Sequence, residues 1–183
     1  MSEKKELDKI REKIDELDAE LLQLLNRRSS LAMEAGKRKK EEVVYRPERE
    51  SFIFKRLKKI NEGPLDDKQI INIFKEIISS CRAREKEMDI AFLGPEGTYS
   101  DSAVKENFGS SINKSPTQSI EEVFEAVKKG KSDYGIVPIE NSTEGPINVT
   151  LDCLADFDIN ICGEVEMVIH HSLMGLNKAL PKE

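Results

Sequence analysis

"LLQLLNRRSSLAMEAGKRKK" (residues 21–40) begins as a leucine seam and ends as something else. Counting alternately by threes and fours from Leu7 runs through Ile10, Ile14, Leu17, Leu21 and Leu24, then reaches Arg28, Leu31 and Ala35. The spacing predicts one helix over residues 5–40, apolar along a single stripe and free of Gly and Pro until Gly36. At about 1.5 Å per residue that helix is on the order of 50 Å long. A small domain cannot cover such a length, so the pattern predicts helix-to-helix pairing. With about 100° of rotation per residue, Ala32, Ala35 and Lys39 fall within roughly 40° of Arg28. Two cations bracketing small side chains read as the wall of a pocket.

Working outward, "VVYR" is a short β-branched link to Pro47, which is well placed as a first helical residue. "PERESFIFKRLKKINE" reads as a second helix, stopped by Gly63-Pro64. Asp66 or Asp67 caps a third, with Ile70, Phe74, Ile77, Ile78 and Cys81 on one face. Arg49 shares its expected face with Ile53 and Ile60, and Glu85 continues the stripe of Cys81. Charged groups are therefore expected on the inward faces of all three helices, where they need partners. Two readings stay open. One is a buried ion-pair network among Arg28, Arg49 and Glu85. The other is an anionic ligand: Arg11, Arg28, Lys39 and Arg49 exceed Glu50 and Glu85 by two positive charges.

After Met88 the period changes. "DIAFLG" reads as a short buried strand, "PEGTYS" as a loop opening a helix over "DSAVKENF", and "SIEE" as a capping box for a helix ending at Gly130. "DYGIVPI" is a second strand, "ENSTEG" a loop, "VTLDCLADF" a helix, and "INICGEVEMVIHHSLMGL" further strand material. The expected fold is an all-α unit over residues 1–87 followed by an α/β unit over residues 88–183. Charge divides at the same place. Residues 1–87 carry +3 and the remainder −9, giving the net −6, and all nine arginines lie at or before Arg84.

Bulk composition excludes several classes. No apolar run approaches the roughly 18–20 residues of a membrane span. The N-terminus, MSEKKELDK, has no apolar signal region, and three unpaired-looking cysteines suit a reduced, cytoplasmic chain. Neither unit has the basic, aromatic-interleaved stripe of a nucleic-acid binder. "GPEGTYS" lacks the Gly-Lys-Ser/Thr ending of a phosphate-binding loop. His170 and His171 would point to opposite faces of a strand, so no metal site is expected there.

"IREKIDELDAELLQLLNRR…LAMEAGKRK", "YRPERE" and "IISSCRAREKE" together resemble the all-helical chorismate mutase domain over nearly all of residues 5–87. "AFLGPEGTYS", "GIVPIENSTEGPINVTLD" and "ICGEVEMVIHHSL" resemble the prephenate dehydratase domain. In this order they are similar to the bifunctional family that joins the two in phenylalanine biosynthesis. The resemblance implies an intertwined helical homodimer, followed by part of a two-lobed α/β domain of the periplasmic-binding-protein type. It implies a pericyclic rearrangement of chorismate to prephenate, needing no cofactor and no metal. Chorismate is a dicarboxylate, which matches the charge excess.

By that resemblance Arg11 and Arg28 grip the carboxylates, Lys39 and Glu85 address the ether oxygen, Glu50 binds the ring hydroxyl and Arg49 helps orient it. Cys81 stands where the family has a small polar contact, and Arg46 where some members carry an acid. Matching dehydratase positions are Thr98, Ser100, Glu140, Asn141, Ser142 and Thr143, in loops suited to anions. The family's Thr-Arg-Phe motif and its regulatory ACT domain are not in this sequence, so the dehydratase half is expected to be incomplete and inactive. The alternative from another class is a binding module for prephenate or an amino acid, carried on a helical dimerisation domain.

Overall fold

The computed structural model describes residues 2–38 and 44–169. The seam forms α1 (Ser2–Arg38), with Lys37 and Arg38 in its last turn, where cations favour the helix dipole. Pro47 opens α2 (Pro47–Ile60). Asp66 caps α3 (Asp67–Ala83) through a capping box: its carboxylate accepts from the Gln69 amide at 2.7 Å, and the Gln69 side chain accepts from the Asp66 amide at 2.9 Å. α1 and α2 both pack against α3. The N-terminal part of α1 extends past them, leaving Leu7, Ile10, Ile14, Leu17, Leu21 and Leu24 between 47% and 62% exposed.

The α/β unit follows as β1 (Asp89–Leu93), α4 (Tyr99–Phe108), β2 (Asn113–Thr117), α5 (Ile120–Lys128) and β3 (Tyr134–Ile136). A hairpin of β4 (Glu140–Asn141) and β5 (Gly145–Pro146) leads into α6 (Asn148–Asp156). β1 is the central strand of a parallel sheet ordered β2-β1-β3. Its alternation sorts the core. Ile90 and Phe92 join Val104 and Phe108 of α4, while Leu93 packs with Ile120 and Phe124 of α5 and Cys153 of α6. A Cβ on Gly135 would lie 2.7 Å from Val123 Cγ1, so the glycine in β3 lets α5 approach the sheet closely.

The two units are not joined by a loose tether. Tyr45, from the link between α1 and α2, is buried in the same cluster as Ile90, Phe92 and Phe108. Its ring lies 4.9 Å from Phe108 and 5.3 Å from Tyr134. Gly109, at φ +76°, ends α4 against α3, where a Cβ would lie 2.5 Å from that of Ser79.

Three expectations need correcting. β2, "NKSPT", has no apolar alternation and was not expected; it borders β1 alone among the described strands, an edge position that tolerates Pro116. Residues 158–169 form no strand, because no described strand pairs with them, and Ile161 and Val168 are 72% and 78% exposed. On α2 the inward face is one residue out of phase with the expectation. Arg49 and Ile60 are exposed, and Glu50, Ile53, Phe54 and Leu57 turn inward.

Candidate functional site

In the helical unit, Arg28, Ala32 and Gly36 lie half-buried on the part of α1 that α3 covers. Glu85, just beyond the end of α3, comes close to α1 at Gly36. A Cβ there would sit 2.4 Å from Glu85 Oε2, so the absent side chain is what admits the Glu85 carboxylate beside α1. Cys81, one turn earlier on α3, is buried. Glu50 arrives from α2, and Arg28 is among the cations acting on it. Along α1, Arg28 thus acts on Glu50, and about two turns further on Gly36 lies beside Glu85.

The other sequence-predicted residues lie elsewhere. Arg11 is on the uncovered part of α1, 3.6 Å from Asp8 one turn away. It is 17 residues from Arg28, or about 25 Å along the helix, beyond the reach of both side chains on one small ligand. Arg49 is exposed, its guanidinium 5.4 Å over the Phe52 ring. Lys39 lies outside the described residues, as do His170 and His171.

Glu50 has a partner the sequence reading missed. Arg82 on α3 is 5% exposed and donates from Nη1 to Glu50 Oε1. Among the described residues Arg82–Glu50 is a buried pair, and Arg49, expected in a buried network, is exposed. Removing either member of such a pair strands a buried charge, typically at a cost of about 3–5 kcal/mol. Burial pushes the Glu50 carboxyl above the usual carboxylate range. The charge and hydrogen bond of Arg82, then Lys75 and Arg28, oppose the rise without cancelling it. A signal did exist: Arg82 stands four residues after Ile78, on the apolar stripe of α3.

In the α/β unit the predicted residues occupy two loops at the carboxyl ends of β1 and β3. The chain leaves β1 through α4 to β2 on one side, then returns through α5 to β3 on the other. Between β1 and β3 the strand order reverses, and parallel α/β sheets bind ligands outside such a switch point. Thr98 is the N-cap of α4, donating to the Pro95 carbonyl at 2.9 Å and accepting from the Asp101 amide at 3.4 Å. Ser100 sits in the first turn, half-buried. Beyond β3, Glu140, Asn141, Ser142 and Thr143 form the exposed hairpin, with Asn141 Oδ1 accepting from the Thr143 amide at 2.9 Å. A shallow cleft lined by Gly94, Pro95, Glu96, Pro116, Thr117 and Gln118 lies toward β2 and includes none of these residues.

A prephenate dehydratase family model matches residues 90–182, and a type II chorismate mutase model matches residues 10–86. The chain belongs to the chorismate mutase/prephenate dehydratase family. Over 181 residues it is 45% identical to the bifunctional chorismate mutase/prephenate dehydratase of Stutzerimonas stutzeri, covering 95% of this chain and 50% of that protein. The proteins of the same name from Pseudomonas aeruginosa and Aquifex aeolicus are 41% and 37% identical, covering 95% and 96% of this chain and 50% of each relative. The chain spans about half the length of the curated relatives it matches.

Each cluster accordingly falls within one family match: Arg28, Glu50, Cys81 and Glu85 in the mutase region, the two loops in the dehydratase region. Arg82 belongs to the mutase region but reaches beyond it. Its Nη2 donates to the Phe108 carbonyl at 2.5 Å, in the dehydratase region. No described helix is long and apolar enough to cross a membrane.

Proposed function

We propose that residues 1–87 act as a chorismate mutase, and that residues 88–183 contribute loops of a prephenate dehydratase site. The observation that supports the mutase reading is that α1 presents Arg28 to Glu50 and, about two turns on, Gly36 to the Glu85 carboxylate. Rearranging chorismate to prephenate needs no nucleophile. It needs the reactive conformer held and the charge developing on the ether oxygen stabilised as the C–O bond breaks. Arg28 holds a carboxylate, Glu50 accepts from the ring hydroxyl, and Cys81 contacts the ligand from α3. Glu85 and Lys39 address the ether oxygen. Arg49, at the solvent edge, assists Glu50.

The active form in this reading is a homodimer. Six seam side chains, Leu7 to Leu24, are about half exposed. Covering them is worth on the order of 1 kcal/mol each. An antiparallel second copy supplies that cover and brings its own Arg11 beside this chain's Arg28, completing a dicarboxylate clamp. In the dehydratase region, Thr98, Ser100 and the 140–143 hairpin offer hydroxyls and amide N–H groups to prephenate at the switch point. The protein works on small anions in the cytoplasm and requires no nucleic acid.

The test follows chorismate loss by absorbance, with phenylpyruvate assayed separately. Chorismate turnover by the purified chain is expected. A folded chain that leaves chorismate unchanged would overturn the mutase reading, and bound prephenate without chorismate turnover would favour the binding-module alternative.

A further inference from the structure

Among the described residues, Arg82 touches both regions at a point that the mutase reading uses. Its planar guanidinium is spent on three neighbours: Nη1 on Glu50 of α2, Nη2 on the Phe108 carbonyl at the end of α4, and its face over the Tyr45 ring at 5.1 Å. Nε is buried with no hydrogen-bond partner among the described residues. A buried arginine that leaves one donor unmet is poorly arranged for stability alone. Its plane is set instead by the other contacts, and those on the far side from Glu50 are firm. Phe108 is 3% exposed, its carbonyl carries the partial negative charge of a helix C-terminus, and Tyr45 accepts from Asn107 at 3.1 Å.

We infer that Arg82 is a positioning residue for Glu50: the α/β unit holds the guanidinium, and the guanidinium fixes one carboxylate oxygen at the mutase pocket. This inference rests on the mutase reading of that pocket. Glu50 contacts the ring hydroxyl, away from the breaking bond, so misplacing it weakens ground state and transition state alike. The effect therefore falls on KM rather than kcat. The charged groups facing Glu50 are Arg82 and Lys75 from α3 and Arg28 from α1, with the Tyr45 hydroxyl from the link. Arg82 gives the largest of the opposing effects, so its removal should raise the Glu50 ionisation midpoint.

The experiment uses the full chain as wild type, Arg82→Lys, Arg82→Met, Glu50→Gln and the Met/Gln double variant. It measures kcat and KM for chorismate, and titrates the Glu50 carboxyl by carbon NMR, assigned through Glu50→Gln. Arg82→Met should raise KM about tenfold, the scale of one lost charge-assisted hydrogen bond, with kcat within about twofold. In the Glu50→Gln background the same change should add nothing to KM. Should Arg82→Met fail to fold, Arg82→Lys serves: one ammonium cannot bond Glu50 and Phe108 in the same fork, so a rise of a few-fold is expected. Wild-type KM in either variant, an equal rise in the Glu50→Gln background, or an unmoved Glu50 midpoint would each overturn the inference. A wild-type chain with no chorismate turnover would instead overturn the mutase reading, and the titration would still decide whether Arg82 governs Glu50.

Discussion

Replacing Gly36 with alanine separates the catalytic use of Glu85 from its contribution to the fold. The added Cβ would lie 2.4 Å from Glu85 Oε2 and 2.8 Å from Cδ. An ordinary carbon–oxygen contact is about 3.3 Å or more, so the carboxylate must retreat by roughly 1 Å. It can do so, because the clashing atoms are the end of a flexible side chain. The backbone of α1 gains from the same change, since alanine is the better helix former, by at most about 1 kcal/mol this near the end of the helix. Stability should therefore hold or rise slightly. Turnover should fall, because a displacement of about 1 Å in a catalytic group can cost about a hundredfold, or roughly 2.7 kcal/mol of barrier. Urea unfolding and chorismate turnover on the same preparation measure the two effects. A stable Gly36→Ala protein with wild-type turnover would show that Glu85 merely packs against α1 and takes no part in the rearrangement.

Mixing separately inactive Arg11→Ala and Arg28→Ala proteins should restore part of the activity, because heterodimers carry one intact site. Subunit exchange demonstrated by mass labelling without any recovery would refute the shared clamp. Asp66→Ala should cost about 1 kcal/mol in chemical unfolding by removing the capping box of α3, with little change in KM. A large loss of chorismate affinity would instead show that the α3 N-terminus influences the pocket.

The elements of this protein were legible where the signal is local. The three-and-four spacing of Leu7 to Leu24, Pro47 at a helix start, Asp66 with Gln69, and Ser119 accepting from the Glu122 amide all act within a few residues. Such patterns placed α1 to α6, β1 and β3, and the motifs along them carried the family resemblance. β2 escaped because an edge strand takes its stability from the neighbour it pairs with, and "NKSPT" shows no face of its own. Whether Arg49 or Glu50 faces inward turned on a one-residue phase that only packing against α3 settles. The Arg82 contacts to Glu50 and Phe108 span 32 and 26 residues of sequence. No periodicity reports on such separations. Sequence determined which residues carry charge along each helix face. Tertiary structure decided which charges meet, because burying an ion is tolerable only where another part of the chain delivers its partner.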